Sequence, residues 1–199
     1  MGTIVVPGEV LERFNGRSDN VFFDGNKAYS KVLGTYDSER GVLTPLAGLW
    51  YPRMGDTVIG IVEEDKFNIY IVYLNAPYKG IVMSKFIEEP LAAGDIIEAV
   101  IKDIDRTKTA VLTRVRKLNG GKIISVKPSK IPRIMGHGDT MIKQLVQGTK
   151  CTLVVGLNGV IWISGGNYDL AAEAIFKIVE EAHTPGLTER VRELLEGKK

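Results

Sequence analysis

The 199-residue chain has a single cysteine, Cys151, only two histidines and few aromatics, at 8% of residues. One thiol excludes an internal disulfide. Its place in the apolar run "CTLVV" reads as a buried structural cysteine rather than a metal ligand or nucleophile. His137 and His183 are far apart, no HExxH or CxxC pair occurs, and no glycine-rich phosphate loop is present. No metal and no cofactor are therefore expected. No apolar run approaches the roughly 20 residues needed to cross a bilayer, and the start "MGTIVVPGEVLERF" lacks a basic region followed by a long apolar core. The expectation is a cytoplasmic protein with no membrane association.

Apolar content of 44% and charged content of 25% fit a globular chain with an ordinary core. The net charge of +2 hides a local imbalance. Between Lys102 and Arg133 there are ten Lys or Arg residues against two acids, Asp103 and Asp105, so the remainder of the chain is net acidic. A segment so unbalanced is a candidate surface for a polyanion, because Lys and Arg bind nucleic acid by displacing its counterions. The alternative is a set of solvated charges scattered in three dimensions.

Residues 1 to 50 alternate short β-like runs, at 4–6, 21–23, 28–33 and 41–45, with Gly, Asp and Asn punctuation, and carry no helical period. This predicts a small all-β domain. Residues 51 to 118 hold five strand candidates, at 57–63, 67–74, 80–83, 96–104 and 109–116, with a short interruption at 84–91 between the third and fourth. That pattern matches a five-stranded OB barrel, whose second and third strands and flanking loops bind oligonucleotides. In the second strand Phe67, Ile69, Ile71 and Tyr73 share one face and Asn68, Tyr70, Val72 and Leu74 the other, so only one set can be core.

Residues 119 to 199 begin with a strand at 122–127 and a segment broken at Pro128 and Pro132. After the glycine turn Gly136-His137-Gly138-Asp139 comes a helix through Met141 and Leu145. Two strands then flank Leu157-Asn158-Gly159. A helix from about Tyr168 carries apolar residues at spacings of three and four, and "LTERVRELLE" predicts one more amphipathic helix. The order β-α-α-β-β-α is that of a KH domain, in which a GXXG loop between two helices clamps the nucleic-acid backbone. The fold class is thus mainly β with an α+β C-terminal part.

In their order and spacing, "VVPGEVL", "YPRMGDTVIGIV", the barrel and "GLNGVIWI" resemble the KH-containing RNA-binding cap subunit of the exosome, in its compact archaeal form. The resemblance implies an N-terminal β domain at 1–50 that docks on the exosome ring. It also implies an S-one barrel, the OB type named for a ribosomal protein, at 51–118 and a KH domain at 119–199. It implies single-stranded RNA and RNase PH-like ring subunits as partners, three copies on one ring, and RNA delivery without catalysis by this chain. For Gly156, Asn158 and Gly159 it implies a structural role where the KH domain packs on the barrel.

Candidate RNA-binding residues follow from the barrel. Phe67, Tyr70 and Tyr78 are aromatics in or near the second and third strands, able to stack on bases. Lys79, Lys85, Arg114 and Arg116 fall near the same surface, with Lys66 in the first-to-second loop and Arg106 and Lys108 in the fourth-to-fifth loop. In the KH loop Gly136, His137 and Gly138 keep the pattern but Asp139 replaces the fourth glycine. Its carboxylate repels a phosphate path, and Lys143 compensates in part. Asp103 and Asp105 are the one conceivable metal-nuclease pair, flanked by Lys102 and Arg106. A second reading stays open: a free-standing RNA-binding protein of translation or RNA processing that uses the same two modules without a ring.

Overall fold

The computed structural model describes residues 3–14, 16, 18, 20–46, 50–87, 89–182, 184 and 186–197. The chain folds as two compact units, Met1–Tyr51 and Pro52–Lys199. His183 lies outside the described residues.

Among the described residues the first unit has five short strands: β1 (Thr3–Val5), β2 (Val21–Asp24), β3 (Lys27–Ser30), β4 (Gly34–Asp37) and β5 (Val42–Pro45). They form an antiparallel sheet in the order β1-β4-β5 and a separate β2-β3 hairpin. The single run read at 28–33 is in fact β3 followed by a turn. Buried Ser30 accepts from the Val32 amide and donates to the Val32 carbonyl, which folds the chain before β4 begins. Val5, Leu11, Val21, Ala28, Tyr36 and Leu43 make a small core, and burial raises the Tyr36 phenol above its ordinary pKa.

The second unit opens with β6 (Thr57–Lys66), β7 (Ile69–Tyr73), β8 (Gly80–Met83), β9 (Ile96–Ile104) and β10 (Ala110–Lys117), closed into a barrel in the order β10-β8-β7-β6-β9. Closure needs β8 and β10 to pair in parallel, with Ala110 opposite Gly80, and all other neighbours are antiparallel. Small residues permit it. A Cβ on Gly60 would stand 2.3 Å from a Val72 methyl, and one on Gly80 would stand 2.8 Å from Leu112. The interruption read at 84–91 holds a 3-10 turn at Ser84–Phe86.

The chain then forms β11 (Lys122–Ser125), α1 (Ile131–Met135), α2 (Thr140–Thr149), β12 (Thr152–Val155), β13 (Val160–Ser164), α3 (Tyr168–Glu180) and α4 (Leu187–Gly197). This is the KH order followed by one more helix. Pro132 does not break α1 but stands in its first turn, where a missing N–H costs nothing. In the sheet β11-β13-β12 the central strand β13 is buried on both faces. One face packs against the four helices through Ile124, Ile161, Ile163, Leu145, Ile175, Val191 and their neighbours. The other meets the barrel through Val160, Trp162, Ile59 and Leu118. That double burial explains why β13 reads as an unbroken apolar run rather than an alternating one.

Candidate nucleic-acid interface

The two-residue turn Phe67-Asn68 joins β6 to β7, with Lys66 and Ile69 paired across it. Phe67 is 99% exposed at its tip. Because the turn takes Phe67 out of the strand, the sequence alternation that tied it to Ile69 does not govern it. Lys66 is likewise the last residue of β6 rather than part of a loop. Tyr70 leaves the candidate set: at 6% exposure it belongs to the barrel interior with Val72, Leu74 and Val82, and no ring face is open for stacking.

The outward side of β7 and β8 is Ile69, Ile71, Tyr73, Ile81 and Met83, with Ile71 opposite Ile81 and Ile69 opposite Met83. Tyr73, 43% exposed, is the aromatic this wall offers. The alternation of residues 69–74 identified two faces; the turn and barrel closure decided that the tyrosine at 73, not 70, faces out.

β6 and β9 are antiparallel, so the turn after β6 and the loop after β9 stand at opposite ends of the barrel. Lys66, Phe67 and Lys85 lie at the first end. Half-buried Tyr78, exposed Lys79, Arg106 and Lys108 lie at the other. The two groups are not one cluster; they bracket the apolar wall. Arg114 and Arg116 are exposed on β10, where a break in register between Thr113 and Arg116 holds Arg114 at a φ of 51°.

Several of these cations already have carboxylate partners. Lys66 meets Glu64 at 2.8 Å, Lys79 meets Glu63 at 2.7 Å, and the Arg116 Nε donates to Glu98 at 2.8 Å. The hydrogen bond from Lys66 holds the Glu64 carboxyl below the usual range, and that to Glu63 raises Lys79. Lys117 pairs with Asp95 at 2.6 Å and depresses its pKa in the same way. Lys122 lies over the Tyr168 ring at 4.6 Å. The basic segment at 102–133 is therefore distributed over the barrel and the α/β part.

Asp105 organises the far loop. Its Oδ1 accepts from the Thr107 hydroxyl at 2.6 Å and from the Thr107 and Thr109 amides at 2.8 and 2.9 Å, which holds its pKa down. Asp103 turns its own carboxylate to the Ile104 amide at 2.8 Å. Asp105 thus does the work of a turn, and Asp103 stands within β9. Among the described residues no group of three His, Cys, Asp or Glu is placed to hold a metal ion, and no helix is long and apolar enough to cross a membrane.

The turn Gly136–Asp139 connects α1 to α2, with His137, Gly138 and Asp139 exposed. Gly136, Gly138 and Asp139 all have positive φ, and the Lys143 ammonium reaches the Gly138 carbonyl at 3.5 Å. Between β12 and β13 the turn Gly156–Gly159 is the reverse case. Asn158 is fully buried; its Nδ2 donates to the Ile59 and Leu74 carbonyls at 2.7 and 2.8 Å, and its Oδ1 accepts from the Ile59 amide at 3.3 Å. Asn75, unremarked in the sequence, answers by donating to the Asn158 carbonyl at 3.2 Å. One side chain thus ties the KH hairpin to β6 and to the end of β7.

The KH domain family matches residues 121–169. Over 96% of the chain the sequence is 36% identical to the exosome complex component Rrp4 of Pyrococcus abyssi, covering 82% of that protein. It is 36% identical to Rrp4 of Methanothermus fervidus, covering 94%. The chain belongs to the Rrp4 family of exosome complex components. A solved structure described as an exosome complex RNA-binding protein superposes with a TM-score of 0.70 at 30% identity, covering 76% of this chain and 97% of that one. In this Rrp4-family chain α4 lies beyond the KH match. It fits closely against α2: a Cβ on Gly148 would meet the Leu195 Cβ at 2.9 Å.

Proposed function

We propose that this chain is a non-catalytic RNA-binding cap subunit of the exosome, which recruits single-stranded RNA and threads it into a ring of RNase PH-like subunits for 3′-to-5′ degradation. In this reading three copies sit on one ring in the cytoplasm. The observation that carries it is the barrel wall of Ile69, Ile71, Tyr73, Ile81 and Met83, bracketed at both ends by Lys and Arg, in a chain of the Rrp4 family. An aromatic side chain such as Tyr73 stacks on bases without choosing among them, the aliphatic ones beside it offer apolar contact, and cations hold phosphates without reading sequence. Such a surface suits a subunit that must pass any RNA along.

Residues 1–50 are the docking module, 51–118 the S-one barrel and 119–199 the KH domain. The first unit exposes Ile4, Val6, Phe22, Phe23, Val42 and Leu46, each 41% to 65% accessible, apolar side chains that a protein partner could cover. The Asn158 tie gives the KH domain and barrel one orientation, so RNA leaving one meets the other at a set angle.

The test is twofold. The chain is expressed with RNase PH-like subunits of the same source, and co-purification as one complex is expected. Lys66, Arg106 and Lys108 are then replaced together by Ala; RNA capture should fall and its salt dependence flatten while the complex still assembles. A chain that binds RNA but never joins the ring would favour the free-standing protein. A triple variant that assembles poorly yet binds RNA normally would put the barrel ends against the ring.

A further inference from the structure

β6 breaks its ladder between Val62 and Glu64, so that two residues, Glu63 and Glu64, stand against one interval of β7, with Glu64 opposite Ile71. Both carboxylates thereby come to the exposed border of the wall. One reaches Lys79, the other Lys66. These are cations from the two opposite ends of the barrel, each already satisfied by an acid from the strand between them.

Resting on the RNA-binding reading above, we propose that Glu63 and Glu64 are affinity-setting residues: resident carboxylates that compete with RNA phosphates for Lys79 and Lys66 and keep the grip weak. A phosphate that arrives at either lysine must displace a hydrogen-bonded carboxylate, and the freed carboxylate then stands beside the RNA as a repelling charge. Both effects oppose tight binding. The pairs are exposed, with side chains 34% to 58% accessible, so the exchange involves little rearrangement and is rapid in both directions. A strand of RNA can thus pass from one lysine to the next without being held.

The neighbouring Asp65 supplies the control. It is exposed on the same strand, and no ion pair to it occurs among the described residues. The experiment measures binding of a fluorescent oligoadenylate to the full chain over a salt series. The variants are Glu63→Gln, Glu64→Gln and Asp65→Asn, and each Gln change is repeated in the Lys79→Ala or Lys66→Ala background. Each Gln change should tighten binding about twofold to fivefold and steepen the salt slope by up to about 0.7. The gain should shrink when the partner lysine is absent, because only the carboxylate's repulsion is then left to remove.

A gain of equal size in the alanine background, or an equal gain from Asp65→Asn, reduces the effect to net charge and overturns the proposal. Weaker binding by the Gln variants overturns it also, since the acids would then be orienting the lysines rather than competing for them. If the wild-type chain and every variant leave the oligonucleotide free, the RNA-binding reading fails and takes this inference with it.

Discussion

Two short glycine-bearing turns of the second unit, Gly136–Asp139 and Gly156–Gly159, are alike in composition and opposite in situation. In the first, His137, Gly138 and Asp139 stand in solvent, and a Cβ on Gly138 would meet nothing within 4 Å. In the second, Asn158 is sealed and hydrogen-bonded to two strands of the barrel, and a Cβ on Gly156 would stand 2.3 Å from its Oδ1. Gly138 serves the exposed turn only by allowing a positive φ, whereas Gly159 in the buried turn both takes a positive φ and lets backbone approach backbone. The contrast teaches that a glycine motif acquires its role from what lies against it.

The largest test of that contrast is alanine at the glycines themselves. Gly159→Ala should cost about 3–5 kcal/mol, because φ is +84° and the new Cβ would sit 2.3 Å from the Val126 carbonyl. Gly138→Ala pays only for its φ of +60°, about 1 kcal/mol. Urea unfolding of both variants gives the comparison directly, and equal losses would break it.

Asn158→Ala comes next. It leaves the Ile59 and Leu74 carbonyls without their donor in a dry seam, an expected loss of about 2–4 kcal/mol. RNA affinity of the folded fraction should not change. If the variant melts with the wild type but loses RNA, the buried turn is a binding element and the distinction between the two turns fails.

A smaller effect, of the opposite sign, is expected at Asp139, whose φ is +61°. Asp139→Gly should stabilise the chain by about 0.5 kcal/mol by relieving the left-handed backbone. It should also strengthen RNA binding by removing a carboxylate beside the α2 N-terminus. Loss of RNA binding would make Asp139 a contact rather than an obstacle.

The smallest effect is one of pH. The buried turn is held by a neutral amide, whereas the Asp105 loop is held by a carboxylate whose pKa lies below the ordinary 3.8. A depressed carboxyl stabilises above its unfolded pKa and loses that contribution as pH falls through the folded value. Below about pH 4, the Thr107 and Thr109 amides should lose protection from exchange while Ile59 and Leu157 keep theirs. An Asp105 carboxyl resonance titrating at or above 3.8 would contradict the sign.

Much of the barrel and of the α/β part was legible because local period and punctuation carry it: strands at 80–83 and 96–104 occur where alternation puts them, and α3 begins at Tyr168 with Asn167 capping the Leu170 amide. The Gly-Leu-Asn-Gly turn was legible as a hairpin with a structural part to play. Its partners were not, since Ile59 and Leu74 are 99 and 84 residues away and only closure of the barrel brings them to Asn158. The same closure sent Tyr70 inward and Tyr73 outward, and set Phe67 on a turn. No alternation within β7 distinguishes those outcomes, because both faces are apolar. The ten cations of 102–133 were countable along the chain, but which of them meet a carboxylate depended on strand register: Arg116 lies opposite Glu98. The sequence determined the elements, whose signals lie within a few residues of one another. Tertiary structure decided which faces, turns and charges are left to meet a partner, because burial and pairing join residues that are far apart in the chain.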